Sequence, residues 1–515
     1  MGKIITKEEY KEKMKDKLKQ ENKKVVLCHG VFDLIHPGHI IHFEQAKGMG
    51  DILVVSITSE KYVRKGPGRP YFNNELRMKF LEAIEYIDYV MLSEGYTVDD
   101  IVEAVEPDIY VKGEEYKKPK EDITGKITEE QALVEKHGGK IMFTAGQVFS
   151  STHLINTALS GLPEDVRSYM ESFKTRYSMK DIKEYTAKVS RLKVLVIGDI
   201  IIDKYIYCIV QGMMTKDMGY SARQKGAEEY FGGAAAIARH LSSFNENVTL
   251  MSIIGNEENI RLKMFDELAD SINLKLIYSE KVPTIIKRRY LTRNEKRDEY
   301  KKIFAINNIP EKIGYEKFVQ NKFAEKLTEI VDAYDVVFLC DFGHGLIDEK
   351  IMDIVQKRAK YLVLNCQTNS SNKGMNIITK YHRADAFTLD QQEIAMAYPS
   401  YSDSDEIKLK KLGKHLNSVG WLTRGPLGAI QINKNNEEEY STQECPAFTL
   451  SVKDTIGAGD AFFALSGIFT AAGAPVEIGT FMGNIGGALG ANIVGNKEHV
   501  EKVNALKFAS TLLNI

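Results

Sequence analysis

Two short strings hold most of the chemistry that this chain of 515 residues can perform. The first is GVFDLIHPGH at 30–39, which sets His36 and His39 three residues apart beside Pro37 and Gly38. Proline suits a helix's first turn, and imidazoles at that spacing share one helical face. Free N–H groups and the dipole at a helix start attract phosphate. Two His donors there could hold a triphosphate and stabilise charge developing during attack at its α-phosphorus. His42 extends the series to i, i+3, i+6, a spacing that could also serve zinc, although no carboxylate-rich helix lies nearby. Surface histidines in an ordinary helix start are the third reading. The second string is DTIGAGDAFFA at 454–464. Gly457, Ala458 and Gly459 make a small-residue turn into an apolar helix, whose N–H groups would form an anion hole for a phosphoryl group in transfer. Asp460 stands where it could accept a proton from an attacking hydroxyl. A plain Gly-rich helix cap would explain the glycines and the Asp but not the whole string.

Both strings need a strand before them and a helix after or within them. VVLCHGVFD (25–33) reads as a buried strand, IIHFEQAKGMG (40–50) as a helix and DILVVSIT (51–58) as a second strand, together a βαβ unit with a parallel sheet. A second series opens at RLKVLVIGD (191–199) and runs through VTLMSIIG, DVVFLCDFG, YLVLNC and AFTLD to GWLTRGPLGAIQI. The expected fold class is α/β with two domains, each a mostly parallel sheet flanked by helices. The expected divisions are a charged, solvated N-terminal helix at 1–23, a first domain at 24–160, a linker at 161–190 and a second domain at 191–515.

Bulk properties agree with two domains, because a single core stops growing near roughly 250–300 residues. Lys+Arg (69) and Asp+Glu (71) nearly cancel, so charge gives no reason to expect a nucleic-acid partner. Five scattered Cys without a C-x-x-C pair suit a reducing cytoplasm. No secretory h-region and no run of about 18 apolar residues occurs, so no membrane association is expected.

GVFDLIHPGH strongly resembles the cytidylyltransferase-type nucleotidyltransferases, which carry H-x-G-H; KGPGRPYFNNELR (65–77), VKGEEY (111–116) and FSSTHLI (149–155) resemble their later motifs in order. The match is closest to the transferase half of the bacterial bifunctional enzymes that make ADP-heptose, and ethanolamine-phosphate cytidylyltransferases look similar too. It implies a Rossmann-like domain in which His36 and His39 contact the triphosphate and transition state. Gly30, Phe32, Lys65, Arg77 and Lys112 would line the nucleotide site, and Ser151 and Thr152 would bind phosphate at a helix start.

DTIGAGD matches the ribokinase-family signature D-T-x-G-A-G-D without a change. The resemblance implies a ribokinase-like domain with a small β lid and with Asp460 as base. GDIIID (198–203) resembles the first-strand motif, placing Asp203 on sugar hydroxyls, and FGGAAAIA (231–238) resembles the Gly-Gly motif, placing Gly232 and Gly233 against the sugar. Thr423, Gly425 and Asn484 fall in nucleotide-side elements. Glu393 of DQQE (390–393) would organise Mg²⁺ through water, and Lys287 and Arg289 of KRRYL would meet a sugar phosphate. The family's usual Asn residues appear as Ala236 and Asp390, and the heptose kinases' Pro-rich substrate segment is replaced by residues 212–230. DFG at 341–343 does not indicate a protein kinase: no Gly-rich loop with a Lys strand precedes it, and His382-Arg383 follows it. Together the resemblances imply a bifunctional sugar kinase and nucleotidyltransferase with the domain order reversed. Its substrates would be ATP, an NTP and a sugar phosphate, and its lid strands would pair in a homodimer, as in ribokinase-type relatives.

Overall fold

Apolar runs such as ILVVSIT (Ile52–Thr58) are strands buried on both faces, and both halves of the chain are built on them. The computed structural model describes residues 3–63, 70–95, 97–113, 127–144, 163–216, 218–294, 299–309, 314–369, 372–436, 439–449 and 452–514. They divide into two units, Met1–Leu162 with Leu506–Ile515, and Pro163–Ala505. Among the described residues no helix is long and apolar enough to cross a membrane.

The first unit holds a parallel six-stranded sheet ordered β1-β4-β3-β2-β5-β6. Its strands are β1 (Lys3–Ile4), β2 (Val25–Gly30), β3 (Ile52–Thr58), β4 (Tyr89–Ser93), β5 (Ile109–Gly113) and β6 (Lys140–Thr144). The N-terminal segment differs from the expected solvated helix. It supplies the edge strand β1, which pairs with β4, then α1 (Lys7–Tyr10), a π-helical turn and α2 (Asp16–Gln20). Tyr10 and Leu18 are buried in the core, a tie the dense Lys/Glu pattern conceals. Helices α3 (Pro37–Lys47) and α4 (Asn74–Glu82) cover one face through Phe43, Ala46 and Leu81. Helices α5 (Asp99–Val105) and α6 (Ile127–Lys136) cover the other, over Leu27, Val54, Met91 and Tyr110. From β2 the chain steps outward one way to β3 and β4, then crosses back to β5 and β6. The topological switch point therefore lies between β2 and β5, where open α/β sheets place their ligands.

The expected linker 161–190 contains two amphipathic helices that belong to the second unit, α7 (Glu164–Lys174) and α8 (Met179–Val189). Phe173 stacks on Phe481 with ring centroids 4.6 Å apart, and Arg176 pairs with Glu477 at 2.9 Å. The main sheet that follows has the order β11-β10-β7-β14-β15-β16-β17-β18-β19, parallel as far as β17. Its centre is β7 (Val194–Gly198) beside β14 (Val336–Asp341). On one side lie β10 (Val248–Gly255) and β11 (Asn273–Ser279). On the other lie β15 (Leu362–Cys366), β16 (Ala386–Asp390) and β17 (Val419–Thr423), then the antiparallel β18 (Ala429–Lys434) and β19 (Tyr440–Cys445). The switch point is between β7 and β14. A separate four-stranded lid joins β8 (Ile200–Met213), β9 (Tyr220–Gly233), β12 (Ile285–Asn294) and β13 (Glu299–Asn308) in the order β13-β12-β8-β9. Of residues 212–230, the stretch 220–230 makes up most of β9.

Candidate functional sites at two helix starts

In the first unit β2 ends at Gly30 and the chain turns sharply into α3. Phe32 takes a left-handed φ of 45°, and a Cβ on Gly30 would come within 3.1 Å of its ring, so the ring lies over the glycine. Asp33 anchors the turn to the next loop by accepting from Tyr71 N (2.9 Å) and Phe72 N (3.0 Å). His36 is the N-cap residue of α3, with extended backbone and Pro37 at the first helical position. Its ring stacks on that of His39 at 3.9 Å between centroids, and Phe32 meets His39 edge-on at 5.3 Å. Burial lowers the His36 pKa, so at neutral pH the ring is an uncharged donor. A hollow lined by Ile35, His36, Pro37, Ile40 and Ile41 opens beside it.

Two expected nucleotide contacts are already engaged elsewhere. Arg77 is fully buried: Nε donates to Phe72 O, Nη1 to Val31 O (2.7 Å) and Thr58 O (2.9 Å), and Nη2 to Asn74 Oδ1. It braces the Gly30–Asp33 turn from beneath instead of facing a nucleotide. Lys112 pairs with Glu130 at 2.8 Å and its ammonium lies over the Tyr110 ring. Lys65, Ser151 and Thr152 lie outside the described residues.

In the second unit the helix Ala458–Ala471, here α9, begins near the C-terminal end of β15, where Gln367 follows Cys366. Gly457 is its N-cap with φ 83°, a left-handed conformation that glycine adopts without strain. Ala458, Gly459 and Asp460 form the first turn, and the helix is buried from Ala461 to Thr470. The Asp460 carboxylate accepts from Gln367 Nε2 at 3.2 Å; burial pushes its pKa up to about 7, and the Gln367 amide opposes this. Asp203 sits on β8, in register with Lys287 on β12. Arg289 pairs with one Asp203 oxygen, and Asn496 Nδ2 donates to the other at 3.2 Å. A Cβ on Gly232 would come within 2.4 Å of Asp203 Oδ2, so only glycine lets β9 pass the carboxylate. Lys287 is pulled down by burial, a shift opposed by Asp203, Asp199 and Asp460 around it. Gly233 caps the helix Ala234–Ser242, in which Ala236 is buried.

Glu393 lies in the helix Gln391–Ala397, with Asp390 as N-cap in a capping box: Asp390 Oδ1 accepts from Glu393 N, and Glu393 Oε2 from Asp390 N, both at 2.9 Å. Asp caps as well as Asn does, which explains how the expected Asn is replaced here. Glu393 Oε1 accepts from Thr368 N at 3.0 Å. Each oxygen keeps a lone pair that a metal-bound water could meet. Burial pushes it up to about 7. Thr423 ends β17 beside Asp390, Gly425 (φ 56°) opens the turn that follows, and Asn484 is buried in the helix Val476–Gly490 near Cys445.

Sequence reasoning missed three residues at this site: Gln367 on Asp460, Asn496 on Asp203, and Asp199. Asp199 follows β7 and is raised to about 7 by burial and by neighbouring Asp341. Asp341 itself is held by Tyr381 Oη (2.7 Å), Lys380 Nζ (2.6 Å) and Gly343 N (2.9 Å).

Each unit thus sets a helix N-terminus with titratable side chains near the C-terminal ends of its parallel strands, which makes the chain a tandem of two α/β domains. Residues 191–489 match the pfkB family of carbohydrate kinases, more than half of the chain, and residues 27–158 match the cytidylyltransferase-like family. The chain belongs to the pfkB carbohydrate kinase family and carries a cytidylyltransferase-like domain ahead of the kinase domain. The N-terminal part is similar to bifunctional protein HldE from several bacteria, with the domain order reversed. Identity is 36% over 150 residues with the Desulfatibacillum aliphaticivorans protein (28% of this chain, 29% of the relative) and 39% over 143 residues with that of Citrifermentans bemidjiense (27% and 28%). These matches span less than a third of the length of the curated relatives. Among solved structures, phosphofructokinase-2 from Escherichia coli in complex with potassium is 12% identical with a TM-score of 0.49, covering 62% of this chain and 99% of that one. Ribokinase from Thermotoga maritima is 17% identical with a TM-score of 0.46, covering 61% and 99%.

Proposed function

We propose that the chain is a bifunctional enzyme of sugar activation. The second unit phosphorylates a sugar or sugar phosphate with ATP, a heptose 7-phosphate at C1 being the acceptor of first choice. The first unit transfers a nucleotidyl group from an NTP to a sugar 1-phosphate, giving an NDP-sugar such as ADP-heptose. The observation that carries this reading is the pair of carboxylates at one helix start: Asp460 on the first turn of α9 and Asp203 on the lid beside Lys287 and Arg289.

Asp203 binds acceptor hydroxyls through the lone pairs that Arg289 and Asn496 leave open. Asp460, with its pKa raised to about 7, takes the proton of the attacking hydroxyl. The new O–P bond forms to the γ-phosphorus, the bond to the β-phosphate oxygen breaks, and ADP leaves. The N–H groups of Gly457–Asp460 receive the charge on the phosphoryl oxygens, and Lys287 stands in the same field. Glu393 would hold Mg²⁺ through a water, and the bound ion would supply neutralisation of phosphate charge. In the first unit a sugar phosphate oxygen attacks the α-phosphorus and pyrophosphate departs; His36 and His39 donate to the triphosphate, and no strong base is needed.

The test is a panel of sugar phosphates with ATP or CTP, with ADP and pyrophosphate measured separately and the NDP-sugar identified by mass spectrometry. ADP release that depends on a sugar phosphate, together with an NDP-sugar product, supports the reading. Absence of both products across the panel contradicts it.

A further inference from the structure

The loop 494–497, far from both signature strings in sequence, threads between the two halves of the kinase site. Asn496 is 5% exposed. Its Nδ2 donates to Asp203 Oδ2 at 3.2 Å, the one orientation chemistry allows, since Oδ1 there would set two acceptors together. Its Oδ1 packs on Gly457, where an added Cβ would come within 2.4 Å of it. One side chain therefore touches both the carboxylate that faces the acceptor and the N-cap of the anion-hole helix. The backbone of the loop is fixed independently: Arg239 Nη1 donates to Asn496 O at 2.8 Å, and Gly495 N donates to Asp454 Oδ2 at 2.9 Å. With those anchors outside the side chain, the amide of Asn496 is not required to hold the loop in place.

We infer that Asn496 is a positioning residue for phosphoryl transfer, orienting Asp203 toward the acceptor hydroxyls and registering that carboxylate against the anion hole at Gly457. With Arg289 on one oxygen and Asn496 on the other, the carboxylate is fixed in rotation and its remaining lone pairs point one way. The inference rests on the kinase reading above. Without the amide, Asp203 keeps Arg289 but turns about its side-chain axis, so the acceptor binds more weakly while nucleotide contacts are untouched.

The experiment uses the full chain with ATP and a heptose 7-phosphate, comparing wild type with Asn496→Ala and Asn496→Asp. The KM for the sugar phosphate rises by about 10- to 100-fold, as expected for a lost hydrogen bond to a buried charge. The Asp variant is the worse of the two because like charges then face each other, and the KM for ATP stays within about twofold of wild type. A merely structural role would reduce the fraction of active enzyme, cutting kcat with both KM values unchanged, and that result overturns the assignment. Failure of the kinase reading shows itself separately, as turnover that survives in Asp460→Asn.

Discussion

Replacing Asp460 by Asn removes a charge while keeping the side-chain shape and an oxygen that still accepts from Gln367 Nε2. In the wild type, burial raises this carboxyl from 3.8 to about 7. Between those values the folded chain holds the proton and the unfolded chain has lost it. Stability that is fully present below about pH 4 is therefore lost as pH rises to about 7. At about 1.4 kcal/mol per pH unit the loss amounts to roughly 4 kcal/mol, and because Asp460 is only half-buried, solvent screening reduces it to about 1–2 kcal/mol. Asn carries no such penalty. Urea unfolding followed by fluorescence reports this unit specifically, since the chain's one tryptophan, Trp421, is buried in it and donates to Thr480 Oγ1 at 2.7 Å. Asp460→Asn is expected to be more stable than wild type by about 1–2 kcal/mol at pH 8, with the gain shrinking toward pH 5. Equal or lower stability at pH 8, or a gain indifferent to pH, would refute the reasoning. Asp199, also raised to about 7, is present in both proteins and cancels in the comparison, while Glu393 loses only the small contribution that the Asp460 charge makes to it.

The same carboxyl predicts the pH–rate profile: kcat/KM for sugar phosphorylation climbs about tenfold per pH unit up to about pH 7 and then levels, whereas a flat profile from pH 6 to 8 removes Asp460 as base. Gly232→Ala sets a methyl against Asp203 Oδ2. It should raise the KM for the sugar phosphate by at least about tenfold with little change for ATP, as read by steady-state kinetics. Arg77→Met leaves Val31 O, Thr58 O and Phe72 O without their donor. Hydrogen exchange in the first unit should show a loss on the order of 3 kcal/mol, while a stable variant with only a raised NTP KM would restore the direct nucleotide role.

Both helix starts were legible because each is a contiguous string, with proline or glycine at the turn. A helix start with glycine or proline next to it brings its N–H groups wherever the strand delivers them. The two parallel sheets were legible for a similar reason, their strands being unbroken apolar runs such as VLVIG at Val194–Gly198. Asn496 and Gln367 were not legible, since they meet Asp203 and Asp460 across 293 and 93 positions of sequence, and an amide has no pattern of its own. Arg77 was expected at the nucleotide site from the family resemblance, and only the fold shows the guanidinium turned inward among carbonyls. The segment 161–190 looked like a linker because charge outweighs the apolar stripe of Val166, Met170 and Phe173, which is buried.

In the proposed function one chain holds two separate phosphate chemistries, one resting on Asp460 and the other on the His36/His39 pair. The most direct measurement follows ADP and pyrophosphate release in parallel from wild type, Asp460→Asn and His39→Ala, each supplied with a sugar 7-phosphate or a sugar 1-phosphate. Asp460→Asn should lose ADP release by about 10²–10⁴-fold and keep pyrophosphate release, and His39→Ala should do the reverse. If either substitution left its own product at the wild-type rate, or if both substitutions abolished both products, the account would be contradicted.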